Sequence, residues 1–293
     1  MENRKHVFIT GASSELMRQV LSRLDSETYL VTGLTRLKNQ TESGLVKWVF
    51  GDINQPDTYK AELSKADVVI HAAALTHSKK QDAYFKVNVE GTKALINALP
   101  EGGNPKFVFI SSRVAGEKSG AYGITKLRAE EEVKKLTDWI IIRPSEVYGG
   151  TKTEGIEKTI HEAINGGVQL CPVGVESKMY PIHITDTVNV IFEAAFGSTT
   201  GNRTITLNGP HGYSFKELLT LIERVSGKKM TVIPIPKWFL GLVGFASKWI
   251  PMDIGFVPDQ VDRLYSVKSH NEATTASIDL ENYIRGIVKS QNG

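Results

Sequence analysis

A tyrosine and a lysine four residues apart form the most chemically suggestive pattern in the chain. Tyr122 and Lys126 stand in the run Ala-Tyr-Gly-Ile-Thr-Lys, which predicts the start of a helix. At this spacing their side chains share one helix face. An apolar strand predicted at 107–110 ends upstream in Ser111 and Ser112. A hydroxyl at a strand end, a phenol and an ammonium can together form a proton-transfer unit.

The tyrosine needs a neighbour if it is to act as a base at neutral pH. A free tyrosine has a pKa of about 10, and a positive charge within a few ångströms favours the phenolate and lowers that pKa. General acid–base catalysis needs a group whose pKa lies near the working pH. Lys126 is therefore the predicted activator of Tyr122. The alternative is an ordinary helix with a tyrosine and a lysine on its surface.

Composition limits the class of protein. The chain has 293 residues, 41% hydrophobic and 23% charged, which suits a globular protein of one large domain or two unequal lobes. A net charge of +3 without a basic block argues against nucleic-acid binding. The single cysteine, Cys171, excludes an intrachain disulfide framework, and no metal site is predicted because the seven histidines show no ligand spacing.

Two further features concern location. The single cysteine suits a reducing compartment, and the N-terminus runs into a strand without a secretory signal, so a cytoplasmic protein is predicted. The segment 233–252 is dense in apolar residues and holds two tryptophans, but prolines and lysines interrupt it. It is too short and too broken to span a bilayer. We predict a buried or cleft-covering helix, with a membrane-surface patch or a subunit contact as the alternative.

The order of elements predicts an α/β fold with a doubly wound parallel sheet of the Rossmann type. Apolar runs such as Val-Val-Ile and Ile-Ile-Ile, which suit strands buried on both faces, alternate with helical patterns up to Gly149. We therefore predict a dinucleotide-binding domain at 1–150. A smaller mixed α/β substrate lobe follows at 151–293, with part of 180–200 returning to the first domain. The cleft between them, at the carboxyl ends of the strands, is the expected site.

The loop from Thr10 to Met17 joins the first strand to the first helix, where a pyrophosphate would bind. Gly11 is present, but Ser14 and Met17 stand where a dinucleotide loop normally has its second and third glycines. Ser14 can compensate with a hydroxyl hydrogen bond, whereas Met17 needs a wider gap between helix and sheet. The predicted cofactor contacts in this loop are Gly11, Ser13, Ser14, Glu15 and Leu16.

The end of the second strand bears on the choice of cofactor. A ribose 2′-hydroxyl usually meets an acidic residue there, whereas a 2′-phosphate needs cations. This strand ends Leu-Thr-Arg-Leu-Lys, so Arg36 is the natural partner for a phosphate, with Ser13 and Lys38 nearby. NADP(H) is predicted in preference to NAD(H), which stays possible. The alternative is that Arg36 and Lys38 are solvated loop charges.

These pieces form an ordered set that resembles the extended short-chain dehydrogenase/reductase family, in its NAD(P)-dependent nucleotide-sugar epimerase and dehydratase group. The resemblance covers nearly the whole chain. Its motifs are TGASS at 10–14, GDI at 51–53, HAA at 71–73, NVEGT at 88–92, Ser111-Ser112, Tyr122-x-x-x-Lys126, RPSEVYG at 143–149 and HITD at 183–186.

The resemblance implies a role for each matching position. Tyr122 would move the proton, Lys126 would hold the nicotinamide ribose, and Ser112 would bind the substrate oxygen. The other implied cofactor contacts are Asp52 and Ile53 at the adenine, Ala72, Ala73 and Ala74 along the cofactor path, and Pro144 and Ser145 at the nicotinamide. The implied substrate contacts are Ser112, Arg113, Glu146, Val147, Met179 and Arg263. Asn88 would tie its helix to the sheet, and Asp186 would cap the following helix.

Two departures from the family pattern concern the substrate side. The segment between Ser112 and Tyr122 is shorter than in most members, which leaves Ser111 or Ser119 as alternatives to Ser112. Met179 stands where nucleotide-sugar members often have a diphosphate-binding arginine, for which Lys178 or Arg263 could substitute. Relatives commonly dimerise through helices equivalent to 82–99 and 122–136, which implies a homodimer.

Three functions follow, and the sequence leaves them open. The first is oxidation, reduction or epimerisation of a nucleotide sugar with NAD(P). The second is reduction or oxidation of a hydrophobic ketone or alcohol, suggested by Met179 and the apolar segment 233–252. The third is a non-catalytic dinucleotide-binding protein, suggested by the altered glycine loop.

Overall fold

The first half of the chain alternates strands with helices. The computed structural model describes residues 4–38, 45–198, 201–246, 258–268 and 276–292. The elements up to Tyr148 are β1 (Lys5–Thr10), α1 (Glu15–Leu21), β2 (Tyr29–Thr35), β3 (Val46–Phe50), α2 (Lys60–Leu63), β4 (Val68–His71), α3 (Gln81–Tyr84), α4 (Gly91–Asn97), β5 (Lys106–Ile110), α5 (Gly120–Val133), β6 (Trp139–Pro144) and β7 (Val147–Tyr148).

The second half is richer in helices. Its elements are α6 (Gly155–Ala163), β8 (Gly167–Pro172), β9 (Ile182–His183), α7 (Ile184–Phe196), β10 (Arg203–Leu207), α8 (Phe215–Ser226), β11 (Met230–Ile235), α9 (Lys237–Ala246), α10 (Pro258–Tyr265) and α11 (Leu280–Asn292). Helix α8 shows why these bounds fall where they do. Ser214 and Glu217 form a capping box at its start, and Gly227 adopts the left-handed conformation at its end.

Among the described residues, seven parallel strands form one sheet in the order β10-β6-β5-β4-β1-β2-β3. The predicted doubly wound parallel sheet is confirmed. Strand β4 is buried along its whole length, as its Val-Val-Ile run predicts for a strand covered on both faces. The strand order reverses between β1 and β4, where Thr10 lies beside His71. Ligands bind at such a switch point, outside the carboxyl ends of the strands.

The helix predicted at 82–99 is broken by a π-helix over Phe85–Glu90, between α3 and α4. Asn88, buried in this stretch, accepts the backbone N–H of Leu75 at 2.7 Å and donates to the Thr125 hydroxyl at 3.1 Å. Asn88 therefore ties the loop after β4 to α5, which carries Tyr122. π-helical turns are common at functional sites because they reorient side chains at the cost of regular hydrogen bonding.

Part of the second half returns to the sheet. Helix α7 packs against the core of the first domain through Ile184, Val188 and Ile191, and β10 adds the seventh strand beside β6. The return expected within 180–200 thus continues to Leu207. The domain boundary at 150 itself stays a prediction. The remaining lobe has its own core, formed by residues of α6, α8 and α11 that include Ile160, Leu218 and Ile284.

Asp186 lies in the first turn of α7 but does not cap it, contrary to the sequence prediction. His183 Nδ1 accepts the Thr185 N–H at the start of α7. The Asp186 carboxylate instead accepts the N–H and hydroxyl of Ser277 and the N–H of Ile278. Because these partners are 91 and 92 residues away in sequence, local pattern could not predict them. Asp186 anchors the segment that leads into α11.

The prediction of a buried or cleft-covering helix at 233–252 is wrong for the described part. Residues 233–235 end β11, and α9 exposes 67% of Trp238 and 58% of Leu242. Positions 247–252 lie outside the described residues. Over the described ranges, we find no helix with the length and apolar character that crossing a bilayer requires.

Candidate active site

A cleft of about 410 Å³ lies at the carboxyl edge of the sheet, at the ends of β1, β2 and β4. Nine of the predicted cofactor contacts line it: Gly11, Ser13, Ser14, Arg36, Asp52, Ile53, Ala72, Ala73 and Ala74. They come from four separate stretches of sequence that meet because parallel strands end at the same edge. The structure therefore brings together the adenosine side of the predicted site.

Gly11 allows the loop after β1 to pass close to the backbone that follows β4. Its φ is +66°, and a Cβ there would lie 2.8 Å from Ala73 N and 2.9 Å from the carbonyl carbon of Ala72. Any side chain would collide with the backbone that follows β4, in a conformation that residues other than glycine disfavour. The remaining glycine of the altered loop is thus required by packing.

Ser14 and Met17 show how the loop tolerates the loss of two glycines. Ser14 caps α1, because its Oγ accepts the N–H of Met17 at 3.4 Å. This bond uses an Oγ lone pair and leaves the hydroxyl hydrogen for another acceptor. Met17 is fully buried in the core between α1 and the sheet, beside Val20 and Leu21. The gap between helix and sheet therefore holds a methionine side chain where a glycine would allow closer contact.

Four predicted cofactor contacts have other partners. The Glu15 carboxylate accepts the backbone N–H groups of Thr151 and Lys152, which lowers its pKa against the opposing effect of burial. Leu16 packs against the core. Pro144 is buried in β6 and accepts the N–H of Arg113, and the Ser145 hydroxyl donates to the carbonyl of Tyr180. Their predicted contacts with a cofactor stay predictions.

Positive charge in the cleft comes from three places. Arg36 lies at the end of β2, as predicted, and Arg18 and Lys152 also line the cleft. Asp52 accepts hydrogen bonds from the backbone and side chain of Asn54. Arg18 follows Ser14 by one helical turn, so its position was available from helical spacing. The position of Lys152 could not be predicted from spacing, because it lies in a distant loop whose backbone N–H donates to the Glu15 carboxylate.

Ser112 is the serine that acts on Tyr122, since its hydroxyl lowers the pKa of the Tyr122 phenol against the larger, opposing effect of burial. Ser112 Oγ also accepts the N–H of Val114 at 3.4 Å. The two alternatives have other environments. Ser111 donates to the buried carboxylate of Glu130 at 2.5 Å, and Ser119 is buried at the start of α5. The short segment between Ser112 and Tyr122 still brings both residues together.

Lys126 is buried beneath the end of β5. Its Nζ donates to the carbonyl of Ile110 at 2.7 Å and lies 4.1 Å from the centre of the Phe109 ring. Burial lowers the pKa of Lys126 to about 7, although the nearby Glu130 carboxylate opposes this change. The ammonium therefore loses its proton near neutral pH in the absence of a ligand.

Tyr122 departs from the expectation of a lowered pKa. Burial raises the pKa of its phenol, while the Arg263 guanidinium and the bond with Ser112 act in the opposite direction. Arg263 Cζ lies 4.8 Å from the centre of the Tyr122 ring. Arg263 thus supplies the main cationic influence that the sequence assigned to Lys126. In this state Tyr122 is a protonated phenol at neutral pH.

Helix α10 holds Arg263 in place and also caps α5. Asp259 Oδ1 accepts the backbone N–H of Tyr122 at 3.1 Å, in a helix that has no cap from its own Ser119 side chain. Asp259 Oδ2 lies 2.7 Å from Arg263 Nε, an ion pair without hydrogen-bond alignment. Gly120, at φ +67°, permits this approach, because a Cβ there would lie 2.4 Å from Asp259 Oδ1.

A buried charge cluster lies beside Ser112. Arg113 and Lys268 lie on either side of Glu146, with nitrogen–oxygen distances of 3.9 and 3.0 Å. The two cations lower the pKa of the Glu146 carboxyl against the opposing effect of burial. Arg113 also lies over the Tyr180 ring and donates to the carbonyl of Lys178. The sequence predicted Arg113 and Glu146 as substrate contacts but missed Lys268.

Three other residues considered for the substrate side lie elsewhere. Met179 is buried in the core of the C-terminal lobe and bridges backbone-to-backbone to Tyr213. Val147 packs against the core of the first domain. Lys178 is half-exposed and pairs with Glu217 at 3.2 Å. The substrate contacts expected at Met179 and Val147, and the replacement of the missing arginine by Lys178, stay predictions. Among the described residues, no cluster of His, Cys, Asp and Glu could hold a metal ion.

Comparison with curated proteins gives a family and several relatives. The model of the "NAD dependent epimerase/dehydratase family" matches residues 7–196. UDP-glucose 4-epimerase of Vibrio cholerae is 26% identical over 271 residues, covering 82% of this chain and 81% of the relative. The mitochondrial 40 kDa subunit of NADH-ubiquinone oxidoreductase of Neurospora crassa is 22% identical, with 87% and 69% covered. Ceramide reductase of Caulobacter vibrioides is 26% identical, with 78% and 73% covered.

Solved structures share the fold. UDP-glucose 4-epimerase of Thermotoga maritima, determined with UDP-glucose, has a TM-score of 0.71 at 16% identity and covers 98% of both chains. The dTDP-4-dehydrorhamnose reductase of Bacillus anthracis, in complex with NADP, has a TM-score of 0.63 at 20% identity, with 82% of this chain and 86% of that chain covered.

Removal of the Asp259 side chain should destabilise the protein. Asp259→Ala deletes the cap on α5 and leaves the guanidinium of Arg263 without its carboxylate, so we expect a loss of about 2 kcal/mol in the free energy of unfolding. Urea unfolding measures this loss. The matched control is Asp262→Ala, an exposed position on the same helix, which should change stability by less than about 0.5 kcal/mol. Equal effects of the two variants would contradict the assigned cap.

The lowered pKa of Lys126 predicts a pH dependence. Between pH 7 and its ordinary pKa of 10.5, the unfolded chain binds more protons than the folded chain. Stability therefore rises with pH over this window. From pH 7 to pH 9, the unfolding free energy of the wild type should rise relative to Lys126→Met by about 2 kcal/mol. If urea unfolding shows that the unfolding free energies of the two proteins change equally between pH 7 and pH 9, the lowered pKa of Lys126 is ruled out.

Proposed function

The chain belongs to the NAD dependent epimerase/dehydratase family, and from this premise we propose that it uses NADP(H) to reduce or epimerise a nucleotide sugar, with Tyr122 as proton carrier. Membership makes the chain an NAD(P)-dependent enzyme. The observation that carries the proposal is the buried Tyr122 ring with the Arg263 guanidinium 4.8 Å from its centre, while the Ser112 hydroxyl, beyond the end of β5, lowers the pKa of its phenol.

The cleft supports a dinucleotide. Gly11 permits the tight turn that follows β1, and the Ser14 hydroxyl hydrogen can donate to a phosphate. Asp52 and Ile53 would bound the adenine, with the three alanines at 72–74 along the path. When bound, the nicotinamide supplies or accepts a hydride. Lys126 would hold its ribose.

NADP(H) is favoured over NAD(H) by the charges in the cleft. Arg36 stands at the end of β2, where an acidic residue would select a ribose 2′-hydroxyl. A guanidinium binds phosphate through paired, charge-assisted hydrogen bonds. Arg18 and Lys152 add positive charge to the same cleft, which would attract the pyrophosphate.

The raised pKa of Tyr122 favours proton donation. A protonated phenol can give its proton to a substrate carbonyl oxygen as that carbon is reduced. Ser112 Oγ accepts the N–H of Val114 and would direct its own hydrogen towards the same oxygen. The Arg263 guanidinium over the ring would then stabilise the phenolate that remains. A protonated Tyr122 therefore favours the direction of reduction.

The charge cluster supports a phosphorylated substrate. Arg113 directly follows Ser112 in the chain, and Lys268 joins it at Glu146. Two buried cations in this position suit the diphosphate of a nucleotide sugar, which meets charge-assisted donors there in place of the usual arginine. Lys268 would thus take the place of the diphosphate-binding arginine, at whose position this chain has Met179.

A second candidate is the reduction of a hydrophobic ketone. It is favoured by Met179, which is apolar where a diphosphate-binding arginine is expected, and by the likeness to a protein named ceramide reductase. Thermal unfolding separates the two candidates, because a ligand raises stability by mass action. Stabilisation by UDP and not by apolar ketones favours the nucleotide sugar.

The non-catalytic role that the sequence left open is disfavoured by the family membership, although the altered glycine loop and the likeness to a subunit of NADH-ubiquinone oxidoreductase point to it. Failure to bind either dinucleotide at millimolar concentration would favour it. The homodimer through the helices near 82–97 and 120–133 and the cytoplasmic location stay predictions.

Arg36→Ala should weaken NADPH binding about tenfold or more and leave NADH binding unchanged, because the lost contact is to a phosphate that only NADPH carries. Isothermal titration calorimetry measures both affinities. The matched control is Lys38→Ala, an exposed cation that follows Arg36 closely but does not line the cleft. A proportional loss for NADPH and NADH would contradict the assigned role.

Tyr122→Phe should lower kcat by about 10²- to 10⁴-fold while leaving NADPH affinity intact, since it removes only the hydroxyl group that carries the proton. The assay uses a panel of nucleotide sugars and apolar ketones and measures NADPH oxidation for reduction and chromatographic separation of the product sugars for epimerisation, which consumes no NADPH overall. Tyr84→Phe is the matched control, because this buried ring lies 6.3 Å from that of Tyr122 and its hydroxyl accepts the N–H of Ser78. Unchanged turnover in Tyr122→Phe would overturn the proposed mechanism.

A further inference from the structure

The two-stranded ribbon of β8 and β11 presents apolar side chains to solvent. In its parallel register Val168 pairs with Thr231 and Leu170 with Ile233, so these side chains share one face. Val168, Leu170 and Ile233 are 63%, 59% and 41% exposed. Cys171, on the opposite face, is buried in the core of the lobe. The apolar face is therefore the outer one.

Helix α9 continues this apolar surface. It begins directly after β11, where the Pro236 carbonyl accepts the N–H of Phe239. Trp238, Phe239 and Leu242 are 67%, 43% and 58% exposed. Several exposed apolar side chains on two successive elements of a globular protein mark an interaction site more often than apolar residues scattered singly do. We call the outer face of β8 and β11, together with the exposed side of α9, the ribbon–helix surface.

The charges within the stretch that forms β11 and α9 are all positive, although exposed carboxylates such as Asp262 lie on α10, which packs against α9. From Gly227 to Ala246 the sequence has no Asp or Glu but has Lys228, Lys229 and Lys237. All three lysines are exposed. One carboxylate does approach, where Glu223 accepts the N–H of Met230. Lysines beside an exposed tryptophan suit the headgroup layer of an anionic bilayer, where the indole and the aliphatic stems are buried and the ammonium groups meet phosphates.

We propose that the ribbon–helix surface docks the C-terminal lobe onto an anionic lipid bilayer, with α9 lying in the plane of the interface. None of the described helices is long and apolar enough to span the bilayer, so the attachment is peripheral. A second copy of the chain fits less well. A two-fold contact is self-complementary and would bring Lys228, Lys229 and Lys237 of both copies together.

The surface lies one helix from the catalytic tyrosine. Lys237 Nζ is 5.0 Å from the centre of the Tyr265 ring, and the Tyr265 hydroxyl donates to the carbonyl of Val173. Tyr265 lies in α10, which also carries Arg263 over Tyr122. Docking by this surface would hold the mouth of the site near the bilayer. The proposed docking does not depend on the proposed substrate or cofactor, because no residue of the ribbon–helix surface has a proposed role in catalysis or cofactor binding.

The test is co-sedimentation of the full chain with vesicles of phosphatidylcholine alone or with 30 mol% phosphatidylglycerol (roughly the anionic content at which basic surfaces bind). We expect binding to the anionic vesicles and weaker binding in high salt. Trp238→Ser with Leu242→Ser should reduce the partition coefficient about tenfold or more. Phe50→Ser, at an exposed phenylalanine of β3, is the matched control and should bind like the wild type.

The electrostatic part is tested separately. Lys228→Glu with Lys229→Glu should lower binding to the anionic vesicles about tenfold or more. Lys134→Glu with Lys135→Glu, an exposed pair at the far end of α5, should not. Quenching of the wild-type tryptophan fluorescence by brominated lipids needs no variant and should be observed. Because all mutated side chains are exposed, circular dichroism should show native folding.

The proposal is overturned if the wild type does not sediment with anionic vesicles and brominated lipids do not quench its fluorescence. It is also overturned if sedimentation velocity shows a dimer that Trp238→Ser with Leu242→Ser dissociates, without vesicle binding, since a second copy would then cover the surface. Equal binding by the lysine variants and the wild type would contradict the anionic headgroup as partner.

Discussion

Helix α5 is held on the sheet through a line of polar side chains, and the site depends on that attachment. Tyr122, Lys126 and Glu130 recur every four residues on its buried face. Lys126 donates to the carbonyl at the end of β5. The Glu130 carboxylate accepts hydrogen bonds from Ser111, directly after β5, and from Arg143 in β6. Because a buried charge without a partner is costly, these bonds restrict the helix to one rotation and one register. The same constraint directs Tyr122 towards Ser112.

The C-terminal half completes a site that the first half only begins. Asp259 supplies the cap that α5 lacks, Arg263 covers Tyr122, and Lys268 joins Arg113 at Glu146. All three residues follow Pro258, in a part of the chain whose described residues, 258–268 and 276–292, contribute no strand to the main sheet. Burial raises the pKa of Tyr122, and the cation that opposes it comes from another helix, because the Arg263 guanidinium of α10 lies over the ring. Lys126, on the same helix as the tyrosine, is buried beneath the sheet edge, where burial lowers its own pKa.

Much of the fold and some of the site were predictable from the sequence. Buried parallel strands appear as continuous apolar runs, and this signal located every strand up to β6. The serine and glycine positions around the cleft followed from the ordered motifs, and nine predicted residues line it. The predictions failed where packing overrides a local rule, as in the helix predicted at 82–99, which contains a π-helix around Asn88. Met17, which the sequence expected to need a wider gap between helix and sheet, is buried in the core between them.

The sequence alone determined which residues share a face and which strands end together, because helical and strand periodicity are encoded over a few residues. It thereby determined the sheet, the cleft and the pairing of Tyr122 with Lys126 on one helix. Tertiary structure decided which distant groups complete the site. Asp259 lies 137 residues from Tyr122, and Lys268 lies 122 residues from Glu146. Such contacts depend on the paths of intervening loops and on the packing of two cores, and no local pattern records them.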